Sequence, residues 1–251
     1  MKIKADLHIH SCLSPCGSLD MSPKRIVQEL KQRDIALAAL TDHNTSLNCP
    51  AFASLCKAEG IQALFGMEVQ SSEEIHILAL FNELSASLDF SAFVYALIPN
   101  IKNIPKKTGD QVYVDEDENI LGELEKYLLN SIPLSVDEVA KEIHKRGGLV
   151  VPAHIDRPSF SLTSQFGLVT EGEWDALEIV KIDREPAIDT KGYPLVFSSD
   201  AHHPFQIASR LSILEVDEDF LRKNCVDLSE LKEAFKTARC ESKPAFSKNL
   251  L

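Results

Sequence analysis

The segment KIKADLHIH, residues 2–10, sets the reading of the whole chain. Residues 2–7 are strand-like, and His8 and His10 follow at once. Alternate side chains of an extended chain share a face, so two imidazoles at this spacing can chelate one ion where a strand ends. The same pattern recurs along the sequence. Asp42 and His43 follow an apolar run at 35–41 (IALAALT), and Glu68 closes another at 61–67. His154 follows LVVPA at 149–153, and Asp200 with His202 follows LVFSS at 195–199. Further strands are expected at 75–81, 176–180 and 211–215. Between the runs lie helix signals. Ser22-Pro23 reads as cap and first turn of a helix whose apolar face is Ile26, Val27 and Leu30. Pro50 starts a second helix that Gly60 closes, and Ser135 with Glu138 has capping-box spacing for one ending near Gly147 and Gly148. Ser229 caps a last helix to Ala238. Strands separated by helices predict an α/β fold with a largely parallel sheet, open or closed into a barrel. In either arrangement chemistry gathers at the carboxyl ends of the strands. His76 breaks the rule by standing at the start of its strand. A tight turn at 70–74 would send that strand back beside Glu68 and return His76 to the same rim.

Residues 82–134 follow a different pattern. An apolar patch at 90–98 precedes IPKKTGD, and QVYVDEDENILG then reads as a hairpin turning within 115–119. This segment is expected to be an insertion over one face of a single domain spanning 1–251. Its 44% hydrophobic and 25% charged residues place the chain among ordinary globular proteins with a sizeable core. Lys and Arg number 26 against 38 Asp and Glu, a formal charge of −12, which weighs against long nucleic acid and anionic membranes as partners. No apolar run approaches the roughly 18 residues of a membrane span, and the amino terminus turns polar at once, so a cytoplasmic location is expected. The six cysteines form no CxxC pair and are read as free thiols.

Six of the eight histidines thus gather at one end with two acids. Imidazole and carboxylate suit Zn, Mn or Fe. Asp6 and Asp42 are expected to orient imidazoles, while His144 within its helix and His203 beside His202 have no expected ligand role beyond a weak one for His203. The segments DLHIH (6–10), TDH (41–43), GME (66–68), IHIL (75–78), PAH (152–154) and SDAH (199–202) resemble, in order and spacing, the PHP (polymerase and histidinol phosphatase) family. The resemblance implies a distorted (β/α)7 barrel, with the insertion near the active-site mouth, and a site for two or three divalent ions. Carried onto matching positions, it implies that His8, His10, Glu68 and Asp200 hold one ion. Glu68, His76 and His154 hold a second, with Glu68 bridging, and His43 and His202 hold a third. This chain departs from the family at the third site. Where many members place His or Asp a few residues after the HxH pair, it reads SPCGSLD, with Cys16 near that place and Asp20 beyond. A thiolate ligand there would favour zinc, and a small loop residue is the plain alternative.

The implied activity is phosphoester hydrolysis of a small phosphorylated metabolite or nucleotide by metal-activated water, with His154 or His202 available to protonate the leaving group. Arg157 is the leading phosphate-binding candidate, followed by Lys181 and Arg184, then Arg210. Ser11 and Asn44, each directly after a ligand, are placed to donate hydrogen bonds to substrate or to metal-bound water. An exonuclease on short oligonucleotides is the near rival, although one Trp and four Tyr offer few stacking platforms. A non-catalytic metal-stabilised module would be expected to have lost ligands. Amide hydrolysis would want a strand-end lysine that these motifs lack.

Overall fold

The computed structural model describes residues 1–181 and 188–242. Strand β1 (Lys2–Asp6) leads to helix α1 (Pro23–Gln32), where the Ser22 hydroxyl accepts from Arg25 N at 3.1 Å and Pro23 occupies the first turn. Strand β2 (Leu37–Leu40) leads to α2 (Cys49–Glu59), which ends as Gly60 turns left-handed at φ 69°. Strands β3 (Gln62–Gln70) and β4 (His76–Phe81) follow. Helix α3 (Leu84–Leu97), the single turn α4 (Pro105–Thr108) and the hairpin β5 (Val112–Val114) and β6 (Ile120–Glu123) come next. The hairpin turns at 115–119 as read, with the Asp115 carboxylate accepting from Asp117 N and Asn119 N. Helix α5 (Val136–Lys145) carries the reciprocal Ser135–Glu138 capping box, and β7 (Leu149–Pro152) follows. After α6 (Leu162–Phe166) come the short strands β8 (Leu177–Glu178) and β9 (Leu195–Val196). Strand β10 (Arg210–Glu215), helix α7 (Leu228–Phe235) and β11 (Arg239–Ser242) complete the described chain. Asp227, not Ser229, caps α7, because its carboxylate accepts from both Ser229 N and Glu230 N.

The main sheet has the order β11-β10-β1-β2-β3-β4-β7 and curls into a half-barrel. It is mixed, which corrects the expectation of a largely parallel sheet. β1, β2 and β3 run parallel, but β4 is antiparallel to both β3 and β7, and β10 is antiparallel to β1 and β11. Only residues 71–75 join β3 to β4, too few for the dozen or so that a parallel crossover needs. The parallel pair β8–β9 stands beside the sheet. Asp175 N on Val150 O and Ile155 N on Glu178 O tie it to β7, while His10 N on Ala201 O ties the chain after β9 to the end of β1, each at 2.9 Å.

Alternation along the strands sorts the core. Leu37, Leu64, Leu78 and Val151 fill the inside of the curl, whereas Ala38 and Leu40 pack under α1 and α2 with Ile26 and Phe52. Met67, Ile77 and Ala79 pack under α3 and α5 with Phe90 and Ile143. Glu68 and His76 therefore share the inner face with Leu64 and Leu78. At Gly66 the strands approach so closely that a Cβ would meet Ala79 O at 2.1 Å. Helix α3 lies where only an apolar patch was read. Buried Ser87 and Ser91 interrupt its apolar face, and the Ser91 hydroxyl accepts from Ser46 N. Among the described residues no helix is long and apolar enough to cross a membrane.

Candidate metal centre

The eight strand-end residues meet at one end of the curl. His8 and His10 lie just past β1, where alternation breaks: Leu7 faces the interior, Ile9 packs under α1 and α2, and both imidazoles are buried at the site. His43 follows β2 and bridges to Glu68 of β3. Register pairs His76 with Gln70, so the antiparallel return of β4 brings His76 beside Glu68 as the tight turn required. His154 follows β7, and Asp200 and His202 follow β9. Three residues here hold left-handed backbone that side chains rarely adopt: Asn44 at φ 53°, His154 at φ 32° and Asp200 at φ 51°. Such strain survives only where the surroundings over-determine it, and it concentrates at functional sites.

Glu68 is the hub. Its Oε1 lies 2.9 Å from His76 Nδ1, 3.0 Å from His154 Nε2 and 3.4 Å from His8 Nε2. Its Oε2 lies 3.0 Å from His43 Nδ1 and 3.4 Å from His10 Nε2. Asp200 Oδ1 lies 3.1 Å from His10 Nε2 and 3.3 Å from His8 Nε2. Ligands bound at 2.0–2.1 Å around a tetrahedral ion sit about 3.3 Å apart, so these spacings fit donors converging on shared cations. The buried His43 Nδ1 makes no hydrogen bond despite its closeness to Glu68, as expected of two ligands aimed at a common ion. Among the described residues three sets have ligand atoms within 4.8 Å of one another: His8, His10 and Asp200; His43, Glu68 and His76; and His10, Cys16, His43 and His202.

The charges conflict without an ion. Burial pushes the Glu68 carboxyl up, but His76, His8 and His43 overcome this and hold it well below its ordinary value. Burial likewise opposes ionised Asp200, and His8 and His10 outweigh it. Burial works against a charged His8, yet Glu178, Asp200 and Glu68 raise it well above the usual imidazole value. Burial, reinforced by His202, lowers His10 to about 4. Cys16 is exposed as a residue, but desolvation of its thiol, which faces the cluster, and then Glu68 and Asp200 push that thiol up. A bound cation would reverse that thiol shift and reconcile the imidazoles with the carboxylates.

The supports differ partly from expectation. Glu178 of β8 was not foreseen, yet it is fully buried, lies 3.0 Å from His8 Nδ1 and accepts from His154 N at 2.9 Å. Its signal was a charged residue inside the apolar run ALEIV. Asp42 acts through Ser14, whose hydroxyl donates to Asp42 at 2.6 Å and lies 3.0 Å from His10 Nδ1. Asp6 touches no imidazole; it accepts from Ser199 N and Ala208 N, which positions the loop bearing Asp200, and burial raises it to about 6. Ser11 and Asn44 are not available to substrate. Both are fully buried: Ser11 donates to Asp42, and Asn44 donates to Leu128 O and Asn130 O.

A cavity of about 300 Å³ opens onto the centre, lined by Cys16, His43, Glu68, His76, His154, Asp200 and His202, with Gln70, Tyr127, Leu129, Arg157 and Phe160. Arg157 is thus at the site, its guanidinium paired with Asp200. Lys181 is exposed and does not line this cavity, because its neighbour Val180 and its own backbone N are drawn to Asp156. Arg184 lies outside the described residues. Arg210 donates to Val180 O and does not line the cavity either. Asp20 is exposed in a separate cleft with Arg25 and Glu118, four residues past the turn that brings Cys16 to the imidazoles. His203 is exposed and stacks on Phe205, and His144 pairs with Asp175 at 2.9 Å.

The family model described as PHP domain matches residues 6–244. An uncharacterized protein of Methanocaldococcus jannaschii is 32% identical over 87 residues, covering 32% of this chain and 50% of that protein. A lesion-specific endonuclease from Pyrococcus furiosus superposes with a TM-score of 0.63 at 21% identity, over 94% of this chain and 56% of that one. A Bifidobacterium adolescentis protein assigned as a metal-dependent phosphoesterase superposes with a TM-score of 0.58 at 17% identity, over 92% and 94%. The chain spans about half the length of the archaeal relative and of the endonuclease. At such identities the likeness to the solved structures is one of fold. The family model runs from Asp6 through every strand-end ligand, and on that match the chain belongs to the PHP domain family.

Proposed function

We propose that the protein is a metal-dependent phosphoesterase acting on a small phosphorylated metabolite or nucleotide. The observation that carries this reading is the Glu68 carboxylate, buried with five imidazoles within 2.9–3.4 Å of its two oxygens. His8, His10, Glu68 and Asp200 would hold one ion, and Glu68, His76 and His154 a second. His43, His202 and Cys16 would hold a third, within reach of His10. Divalent Zn, Mn or Fe supplies Lewis-acid polarisation of phosphoryl oxygens and acidifies water. Arg157, half-exposed at the rim, suits two-pronged contact with phosphate oxygens. His202 is the imidazole best placed to give a proton to the leaving oxygen. Its Nδ1 is held by Asp200 O at 2.9 Å, so Nε2 is its one free nitrogen, a ligand when the third position is filled and the proton donor when it is not. His154, buried against Glu68, suits a ligand better than a donor. We read β1–β4 and β7–β9 as the seven staves of a distorted barrel, supported by the bonds from β8 to β7 and from Ala201 to His10. The small cavity and the charge of −12 favour a compact phosphate over long nucleic acid. Six free thiols fit a reducing cytoplasm.

The test is the metal content of protein purified without added metal, followed by phosphate release from aryl phosphate and a phosphometabolite panel. A metal-to-protein ratio near three supports Cys16 as a ligand, and a ratio near two removes it. Filled sites without hydrolysis of any phosphoester would sink the reading. Turnover confined to oligonucleotides, with steep salt dependence, would replace it with a nuclease.

A further inference from the structure

We infer that Phe160, with Tyr127 and Leu129, forms a ring-binding wall beside the metal centre, so that the favoured substrate carries a planar ring next to its phosphate. A nucleoside or aryl phosphate is then preferred over an open-chain sugar or polyol phosphate. This rests on the phosphoesterase reading and narrows its substrate class.

Phe160 is 40% exposed at the cavity. A single exposed apolar side chain is ordinary, but this one sits on left-handed backbone at φ 57°, where a bulky residue is a genuine outlier. The conformation is pinned, since Phe160 O accepts from His76 N at 3.1 Å. It lays the ring flat on the His76 imidazole, with centroids 4.8 Å apart and planes 16° apart. The aromatic surface is therefore anchored from one side and held at the edge of the ligand cluster.

Tyr127 and Leu129 reach the cavity from the excursion between α3 and α5, and their segment is equally well held. Fully buried Gln111 donates to Leu124 O and Lys126 O at 2.9 and 2.8 Å and accepts from Leu128 N at 2.9 Å. Asn44 donates to Leu128 O at 2.7 Å. With Leu128 turned wholly into the core, its two neighbours are the ones that line the cavity. Gln70, the amide on this wall, is already committed to His76 and Ser131. The floor is thus imidazole and carboxylate, while the wall is aromatic and aliphatic. A ring placed on the wall loses little, whereas sugar or polyol hydroxyls there would give up water and regain at most the few hydrogen bonds that the Tyr127 hydroxyl and the second Gln70 amide hydrogen offer.

The test compares adenosine monophosphate with ribose 5-phosphate, and 4-nitrophenyl phosphate with glycerol phosphate, on metal-loaded protein. Phosphate release and calorimetric binding are measured in parallel. The ring-bearing member of each pair is expected to bind about tenfold more tightly. Phe160→Ala should erase most of that difference by raising Kd and KM for ring-bearing compounds. Any change for ring-free compounds should be clearly smaller, so the deciding readout is the ratio of Kd and of KM within each pair. Phe160→Leu, which keeps an apolar cover over His76, should behave like the alanine variant. Equal binding within each pair, or equal weakening of both members in the variants, overturns the wall. A ring preference in binding that Phe160→Ala erases, without hydrolysis of any compound, upholds the wall and sinks the phosphoesterase reading instead.

Discussion

Asp175 and Glu68 are both buried carboxylates in contact with histidine, one just before β8 begins and the other near the end of β3. Around Asp175 every demand is met. His144 Nε2 lies at 2.9 Å, Lys232 pairs with the other oxygen, and Val150 N donates at 2.8 Å. Around Glu68 the surroundings are crowded yet incomplete. Five imidazoles press on one carboxylate, a second carboxylate stands behind two of them, and a buried ring nitrogen finds no hydrogen bond. The same residue types make a closed ion pair in one place and a cation receptor in the other. What separates them is the ratio of acids to imidazoles and whether a lysine supplies the positive charge.

Glu68→Gln should break the comparison most visibly. Loss of the bridging charge is expected to empty at least one metal position and lower phosphoester turnover by more than about 100-fold, read by metal analysis and kcat. Glu178→Gln removes the acid that holds His8. Metal affinity should fall by about 10- to 100-fold in a chelator competition, with the fold intact. Asp175→Asn should do the reverse, costing about 1–2 kcal/mol of stability in denaturant while metal content and turnover stay unchanged. The smallest effect is protonic. Burial opposes the charge on His8, but the acids around it raise its pKa well above the usual imidazole value, which favours a proton on that imidazole around neutral pH when no ion is bound. Metal uptake must expel it, so affinity rises with pH across this range, and the heat of binding should change with the ionisation enthalpy of the buffer. A heat that is independent of buffer would contradict this.

Much of the site was legible because its ligands follow apolar runs at strand ends, a place defined by local pattern. His76 could be placed only by supposing the short return at 70–74, and the register of β3 with β4 bears that out. Glu178 was missed because a carboxylate inside a two-residue strand looks like an interruption until β8 is seen beside β7, with its side chain on His8. Helix α3 was missed because serines occupy its buried face, and β11 because RCES has no apolar alternation. Arg157 reached the cavity, whereas Lys181, with the same charge just past the next strand, did not.

Which residues could bind metal was therefore written into the chain, since imidazole and carboxylate chemistry belongs to the side chain and strand ends announce themselves through hydrophobic pattern. How those residues divide among ions, which acid steadies which imidazole, and that Phe160 lies flat on His76 were decided by tertiary structure. Each depends on distances between segments remote in sequence, and only the curl of the sheet sets those distances.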